Sequence, residues 1–96
     1  MKVYLDDERQ APEGWVQARW ANEVIELLKT GNVTELSLDH DLGDDVRGTG
    51  YDVLQWLDEQ VICNQFFPPI IHVHTANPAA RVRMEAAVKN ISKQRG

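Results

Sequence analysis

Three short apolar runs alternate along the chain with three longer stretches in which apolar and polar residues mix. The runs 2–5, 35–38 and 70–74 are rich in aliphatic residues, and polar residues follow each of them at once. This length and these abrupt polar ends are typical of buried strands. The pattern therefore predicts three β-strands.

The stretches between the runs place apolar residues three and four positions apart, which is the spacing of one helix face. A first helix is predicted over 18–29, before Gly31, and a second from Tyr51. A third begins after Asn77-Pro78, where asparagine caps a helix and proline fits its first turn. The apolar stripes consist of Trp20, Val24, Leu27 and Leu28, then Val53, Leu54, Leu57 and Val61, and finally Met84, Ala87, Val88 and Ile91.

The order βαβαβα predicts a parallel sheet, because strands joined through a helix return in the same direction by a right-handed crossover. We therefore expect a small α/β domain of two or three layers with a short sheet of three parallel strands. Ligands bind such sheets at the carboxyl ends of the strands. The residues that follow the three apolar runs are thus the candidates for function.

Length and composition limit the classes of protein to consider. The chain has 96 residues, 43% of them hydrophobic and 26% charged, which predicts a single globular domain over 1–96. No apolar run approaches the roughly 18 residues of a membrane span. The N-terminus lacks the apolar segment of a secretory signal, and a single cysteine, Cys63, forms no internal disulfide. These features predict a cytoplasmic protein without a membrane partner.

The charge of the chain is acidic overall and concentrated at two places. A formal net charge of −5 argues against general binding of double-stranded DNA, whose phosphates attract basic surfaces. Four aspartates lie within three positions after the first two runs: Asp6, Asp7, Asp39 and Asp41. Hard cations bind several carboxylates together with water. These four carboxylates are therefore candidate ligands of Mg²⁺ or Mn²⁺, the alternative being that they cap or turn the chain.

All three histidines lie in or directly after a predicted strand. His72 and His74 are two positions apart, so they share one side of the third strand, where two imidazoles can bind a metal or act as acid and base. The alternative for His72 is a satisfied core residue. His40 either takes part in the chemistry or has a structural role, as a cap or in an ion pair with Asp41.

Groups that can bind phosphate stand beside these acids and histidines. Arg9 can bind a phosphate with two N–H groups or pair with a carboxylate. Thr75 offers a hydroxyl and Asn77 a helix N-terminus, where anions bind, although Asn77 can also be a plain N-cap. The three tryptophans are interpreted as packing residues rather than a base-stacking platform, with Trp15 in a loop near the site.

Several motifs stand out when they are taken together. They are Leu5-Asp6-Asp7-Glu8-Arg9, Pro12 with Gly14-Trp15, Ser37-Leu38-Asp39-His40-Asp41-Leu42-Gly43, Gly50-Tyr51-Asp52, and His72-Val73-His74-Thr75-Ala76-Asn77 with Met84. Together they resemble the cyclic-phosphate processing receiver-like family, whose members are shortened relatives of the response-regulator receiver domain. The resemblance covers nearly the whole chain and implies a truncated receiver-like, or flavodoxin-like, fold.

The resemblance also implies roles for individual residues. In receivers, an acidic pair after the first strand and an aspartate after a later strand bind Mg²⁺ beside a phosphoryl group. Asp6 or Asp7 would belong to the pair, and Asp39 or Asp41 would be the later acid. Thr75 would resemble the hydroxyl residue after the fourth strand of a receiver. The chain departs from the receiver pattern in two ways. It has room for three βα units rather than five, and no lysine follows a further strand.

These departures, together with the three histidines, favour hydrolysis over acceptance of a phosphoryl group. The predicted function is a metal-dependent phosphoesterase that opens a cyclic phosphate of a nucleotide or of an RNA end. His74 or His40 would be the general acid, and Arg9 and the helix terminus at Asn77 would hold phosphate oxygens. His72 and Thr75 complete the set of catalytic candidates.

Two other functions stay open at this point. One is a receiver-like module without catalytic activity that accepts phosphate on Asp39 or Asp41 or binds a partner. The other is a protein that sequesters a cyclic nucleotide without cleaving it. Because a three-stranded core is thin, a homodimer that covers one sheet face is also an open alternative.

Overall fold

A computed structural model describes residues 1–43 and 45–93 of the chain. Within these residues the fold has one parallel sheet and three α-helices. The strands are β1 (Lys2–Leu5), β2 (Trp15–Ala18), β3 (Glu35–Leu38) and β4 (Ile70–Val73), and the helices are α1 (Ala21–Lys29), α2 (Gly50–Asn64) and α3 (Pro78–Ser92). A 3-10 turn, Asp45–Arg47, precedes α2.

The strand order places the first strand inside the sheet. The order is β2-β1-β3-β4, and every neighbouring pair is parallel. This is the beginning of the doubly wound, flavodoxin-like order, in which the chain reverses direction across the sheet between β1 and β3. The predicted α/β class and the receiver-like parallel sheet are therefore confirmed.

All three helices cover the same face of the sheet. The connections from β2 to β3 and from β3 to β4 advance in one direction, so right-handed crossovers place α1 and α2 on one side. Helix α2 packs between α1 and α3, and α3 also contacts β4. The domain thus has two layers, and the second sheet face, which we call the open face, carries no helix in the described chain.

Alternation along the strands separates the core from the open face. Val3 and Leu5 of β1, and Leu36 and Leu38 of β3, point into the helical layer and are fully buried. The intervening positions of the strands form the open face. They include Lys2, Tyr4, Trp15, Gln17, Glu35, Ser37 and His72.

In the described ranges the sheet has four strands rather than the three predicted, because residues assigned to a loop and to the start of a helix form β2. Trp15 is therefore in a strand, and α1 begins at Ala21, not at residue 18. The pairing of β2 with β1 is parallel, yet the segment 6–14 that joins them contains no helix. A parallel pair normally requires a helical crossover, and for this reason the βαβ pattern did not reveal β2.

Local side-chain bonds set the helix ends that lie near the carboxyl edge of the sheet. The side chain of Asp52 accepts a hydrogen bond from the backbone N–H of Thr49 at 2.7 Å, at the start of α2. Asn77 Oδ1 accepts one from Ala80 N–H at 3.1 Å, with Pro78 in the first turn of α3, as predicted. No helix in the described ranges is long and apolar enough to cross a membrane.

Candidate metal and phosphate site

The sheet brings one residue from each of three adjacent strands into a single row. Asp6, Asp39 and His74 directly follow β1, β3 and β4, and each continues the sheet ladder through its backbone N–H, which donates to the neighbouring strand at 3.0 Å. Each residue lies two positions after an open-face residue, so all three side chains belong to that face. The row crosses the boundary between β1 and β3. On the two sides of this boundary the successive strands are added in opposite directions across the sheet, and ligands bind at such a point.

Asp6 is a buried carboxylate with a complete set of partners. Only 1% of the residue is exposed. Its Oδ1 accepts hydrogen bonds from the backbone N–H groups of Glu8 and Arg9, both at 2.8 Å. Its Oδ2 lies 3.1 Å from His74 Nε2. The local turn therefore fixes one oxygen of Asp6 and directs the other towards the imidazole.

His74 is held on both ring nitrogens and on one ring face. Ser37 Oγ lies 2.7 Å from Nδ1, while Nε2 faces Asp6. The Tyr4 ring is stacked on the imidazole, with centroids 4.4 Å apart and planes 3° from parallel. The orientation of His74 is thus determined by the sheet beneath it.

Three potential ligand atoms converge in this row. One oxygen each of Asp6 and Asp39 and one ring nitrogen of His74 all lie within 4.8 Å of one another. Two carboxylates and one imidazole form a mixed oxygen and nitrogen donor set that divalent transition metals accept. Of the four predicted carboxylate ligands, the described structure places Asp6 and Asp39 together with His74.

A pocket of about 280 Å³ opens over this row. Its lining consists of Asp6, Asp7, Glu8, Arg9, Asp39, Asp41, Gly43 and Ala76. Arg9 donates one N–H to the carbonyl of His74 at 3.2 Å. Among the described residues Arg9 forms no ion pair with a carboxylate, so its remaining donors are available to an anion in the pocket.

Asp7 and Asp41 lie in the pocket wall but outside the three-residue row. Asp7 lines the pocket from the turn that follows β1, where its Oδ2 lies 3.2 Å from the position that a Cβ atom would take on Gly43. Asp41 is well exposed, and its Oδ1 lies 2.8 Å from His40 Nδ1. The imidazole of His40 is itself largely covered and reaches the pocket through Asp41. The alternative that His40 pairs with Asp41 thus describes the observed contact.

Three other predicted site residues lie outside the pocket lining. His72 is exposed on the open face, and its Nε2 contacts Glu35 Oε2 at 2.9 Å, so it is neither a core residue nor part of the row. The Thr75 hydroxyl is buried and accepts a hydrogen bond from Asn77 N–H. Asn77 caps α3.

Four residues that shape the site were not singled out from the sequence. Tyr4 and Ser37 orient His74, and each precedes a site acid by two positions, so the alternation of the strands was the signal that could have identified them. Gln17 and Arg19 hold the Asp6–Arg9 turn from β2: Gln17 Nε2 donates to the carbonyl of Asp6 at 2.9 Å, and Arg19 Nη1 to that of Asp7 at 3.0 Å. Their role depends on β2, which the sequence pattern did not reveal.

Burial and hydrogen bonds shift the pKa values of two groups in the row. Burial raises the pKa of Asp6, but hydrogen bonds from Arg9, Glu8 and His74 outweigh this effect, so the pKa lies below its ordinary value of 3.8. Burial lowers the pKa of His74 below 6.5, against the opposing effects of Asp6 and Asp39. The imidazole is therefore neutral at pH 7, as a metal ligand must be.

These two shifts predict a loss of stability in acid. The unfolded chain binds more protons at both groups, so the free energy of unfolding should fall as the pH drops below 6.5 through His74, and again below 3.8 through Asp6. Urea unfolding in EDTA at a series of pH values measures this dependence. The variant His74→Gln should flatten the slope just below pH 6.5, whereas His72→Gln, which removes an exposed histidine, should retain it. An equal slope in the parent and the His74 variant would contradict the assignment.

Comparisons with known proteins agree with the receiver-like fold. The profile of the cyclic-phosphate processing receiver domain matches residues 1–90. A similar sequence occurs in the NAD(+)-dependent glycerol-3-phosphate dehydrogenase of Eremothecium gossypii, with 31% identity over 91 residues. That match covers 95% of this chain but 20% of the dehydrogenase, so the chain spans about a fifth of that protein. No solved structure matches the chain significantly. Because this family profile matches nearly the whole length of the chain, the chain belongs to the cyclic-phosphate processing receiver domain family.

Proposed function

We propose that this domain is a metal-dependent phosphoesterase that opens a cyclic phosphate of a nucleotide or of an RNA end. The observation that carries the proposal is the row formed by Asp6, Asp39 and His74 beneath a pocket that also contains an arginine. The row supplies ligands for a divalent cation, and the arginine supplies donors for phosphate oxygens. Family membership supports a role in cyclic-phosphate processing.

The donor set favours Mn²⁺, or another transition metal, over Mg²⁺. Mg²⁺ prefers oxygen ligands and retains several waters, whereas imidazole suits transition metals. In the contact between His74 and Asp6 the proton of the imidazole is on Nε2, because the facing oxygen of Asp6 only accepts hydrogen bonds. Ligation through Nε2 requires the proton to be on Nδ1 instead. Ser37 permits both states, since its hydroxyl can donate to Nδ1 or accept from it.

Other residues in and beside the pocket would bind the phosphate and donate a proton. A bound divalent metal would polarise a phosphoryl oxygen and lower the pKa of a bound water. Arg9 would bind the non-bridging phosphate oxygens with its free guanidinium donors. His40 is the candidate proton donor to the leaving oxygen: as an imidazolium it would keep one N–H on Asp41 and have a second N–H to give, whereas a neutral, metal-ligating His74 has no proton to give there.

The name of the dehydrogenase relative is consistent with a phosphate ester as ligand. Its name describes an enzyme that acts on a phosphate ester. Since this chain spans a fifth of that protein, we do not propose dehydrogenase activity for it. We propose instead that the domain binds and cleaves a phosphate ester in its own pocket.

Phosphorus NMR of adenosine 2′,3′-cyclic phosphate and of adenosine 3′,5′-cyclic phosphate tests the proposal directly. Incubation with the protein and Mn²⁺ should convert at least one of them to a ring-opened monoester, and EDTA should abolish the reaction. Mg²⁺ in place of Mn²⁺ should give slower turnover. Unchanged spectra for both compounds with either metal would overturn the proposed activity, and turnover that is insensitive to EDTA would overturn the role of the metal.

A further inference from the structure

A second cleft adjoins the metal and phosphate pocket on the open face. We call it the β2 cleft; its volume is about 450 Å³, and it is lined by Glu8, Gln10, Ala11, Trp15, Gln17 and Arg19. Trp15, Gln17 and Arg19 are alternate residues of β2 and its extension, so they form one wall, and the segment 8–11 forms the other. Glu8 lines both the β2 cleft and the phosphate pocket, so a ligand can extend from one into the other.

Hydrogen bonds within the chain hold the walls of the β2 cleft in place. Gln17 Oε1 accepts from Ala11 N–H at 2.6 Å, and Gln17 Nε2 donates to the carbonyls of Asp6 and Arg9 at 2.9 and 3.3 Å. Both ends of the Gln17 amide are thus used to fix the loop against β2. Because these contacts exist before any ligand arrives, little conformational entropy is lost when the cleft is filled.

Trp15 gives the β2 cleft a flat aromatic surface. The indole is half-buried, meets Tyr4 edge to face at a centroid distance of 6.3 Å, and has the ammonium group of Lys2 5.7 Å from its ring centre. Two neighbours therefore restrain the ring, while part of it still borders the cleft. A restrained, partly exposed indole is well suited to stacking on another planar ring.

The polar groups around the indole suit the edge of a heterocycle. Gln10 is exposed, and within the described residues its side-chain amide has no hydrogen-bond partner, so it offers both a donor and an acceptor. The Glu8 carboxylate accepts, and Arg19 retains donors beyond the one bound to the carbonyl of Asp7. A planar ring with donors and acceptors on its edge is the chemistry of a nucleobase.

We propose that the β2 cleft binds the nucleobase of the substrate, stacked on Trp15, while its phosphate lies against Arg9 and the metal row. The proposal rests on the function proposed above and narrows its substrates to compounds that carry a base. Nucleotides and RNA ends share this chemistry. Trp15, interpreted from the sequence as a packing residue, is thereby given a second role.

The first test is a direct binding measurement that requires no turnover. The protein has three tryptophans, so NMR resolves three indole N–H signals, and Trp15→Phe identifies the one from Trp15. Adenosine 2′-monophosphate should shift the Trp15 signal and leave those of Trp20 and Trp56 in place. Glycerol 2-phosphate, which lacks a base, should leave all three signals unshifted. An unshifted Trp15 signal with the nucleotide at saturation would overturn the proposal.

The second test separates recognition of the base from structural damage. The substrates are adenosine 2′,3′-cyclic phosphate and the base-free glycerol 1,2-cyclic phosphate. Trp15→Leu should raise KM for the adenosine compound about 10-fold, in the range measured for loss of one base stack. It should leave the glycerol compound unaffected, and Trp15→Phe should restore most of the affinity. Equal effects on both substrates would indicate a structural role for Trp15 and overturn the proposal.

Two further outcomes are distinguishable. If the wild-type protein hydrolyses the glycerol compound and the adenosine compound equally efficiently, the β2 cleft proposal fails and the proposed phosphoesterase activity stands. If neither is hydrolysed but the nucleotide shifts the Trp15 signal, the activity fails and the base site stands. A dinucleotide that ends in a 2′,3′-cyclic phosphate shows whether the bound base belongs to an RNA end or to a free nucleotide. Tighter binding than that of the mononucleotide indicates an RNA end, and equal binding indicates a free nucleotide.

Discussion

Replacing Asp6 or Asp39 with asparagine is expected to lower Mn²⁺-dependent turnover at least about 100-fold, because each change removes a charged ligand from the metal row. The fold should survive the Asp6 change, since the Oδ1 of asparagine can still accept the hydrogen bonds from Glu8 and Arg9. Its Nδ2 can donate to the ring of His74, which then presents an unprotonated Nε2. The loss should therefore be one of metal binding rather than of folding.

The same experiment tells which acid of each pair binds the metal. Asp7→Asn and Asp41→Asn change carboxylates that line the pocket outside the row, so we expect losses of about 10-fold, typical of groups that act beside a metal rather than on it. Asp58→Asn is a matched control on α2, where the carboxylate accepts a hydrogen bond from Asn90 far from the pocket. Turnover is followed by phosphorus NMR, and Mn²⁺ affinity by calorimetry. Full activity in the Asp6 and Asp39 variants would exclude the row as the metal site.

The strands that carry the site could be predicted because their sequences combine two independent signals. Runs 2–5 and 35–38 are apolar and then abruptly acidic, and the structure has strands with these same bounds. Parallel strands present their carboxyl ends at one edge of the sheet, so acids that follow two such runs must come close together. This rule required no knowledge of the strand order, and for that reason it held although one strand was missed.

The partner that each side chain contacts was harder to obtain from the sequence. His72 and His74 share a side of the strand, as their spacing requires, yet one lies at Glu35 and the other reaches Asp6. The difference arises across strands: His74 reaches across β3, past Ser37, to Asp6 at the end of β1, whereas His72 contacts Glu35 on the adjacent strand β3. Such pairings depend on register, which the pattern of a single strand does not contain.

Gly50→Ala is expected to destabilise the protein by about 2 kcal/mol and to weaken Mn²⁺ binding. Gly50 is the first residue of α2, and a Cβ atom there would collide with the carbonyl oxygen of Asp39 and lie 2.9 Å from its carbonyl carbon. Relieving such overlap costs up to about 3 kcal/mol in a packed interior, while alanine returns about 1 kcal/mol through its higher helix propensity. The steric cost therefore dominates.

The clash falls on the backbone of a proposed metal ligand, so the variant should affect the site as well as the fold. Gly31→Ala is the matched control: Gly31 has φ of +77° with open space around its Cβ position, so only backbone strain of about 1–2 kcal/mol is expected, without loss of Mn²⁺ affinity. Urea unfolding followed by circular dichroism gives the stabilities, and calorimetry gives the affinities. A Gly50 variant as stable as the parent, or one destabilised with unchanged Mn²⁺ affinity, would show that α2 does not hold Asp39 in the metal row.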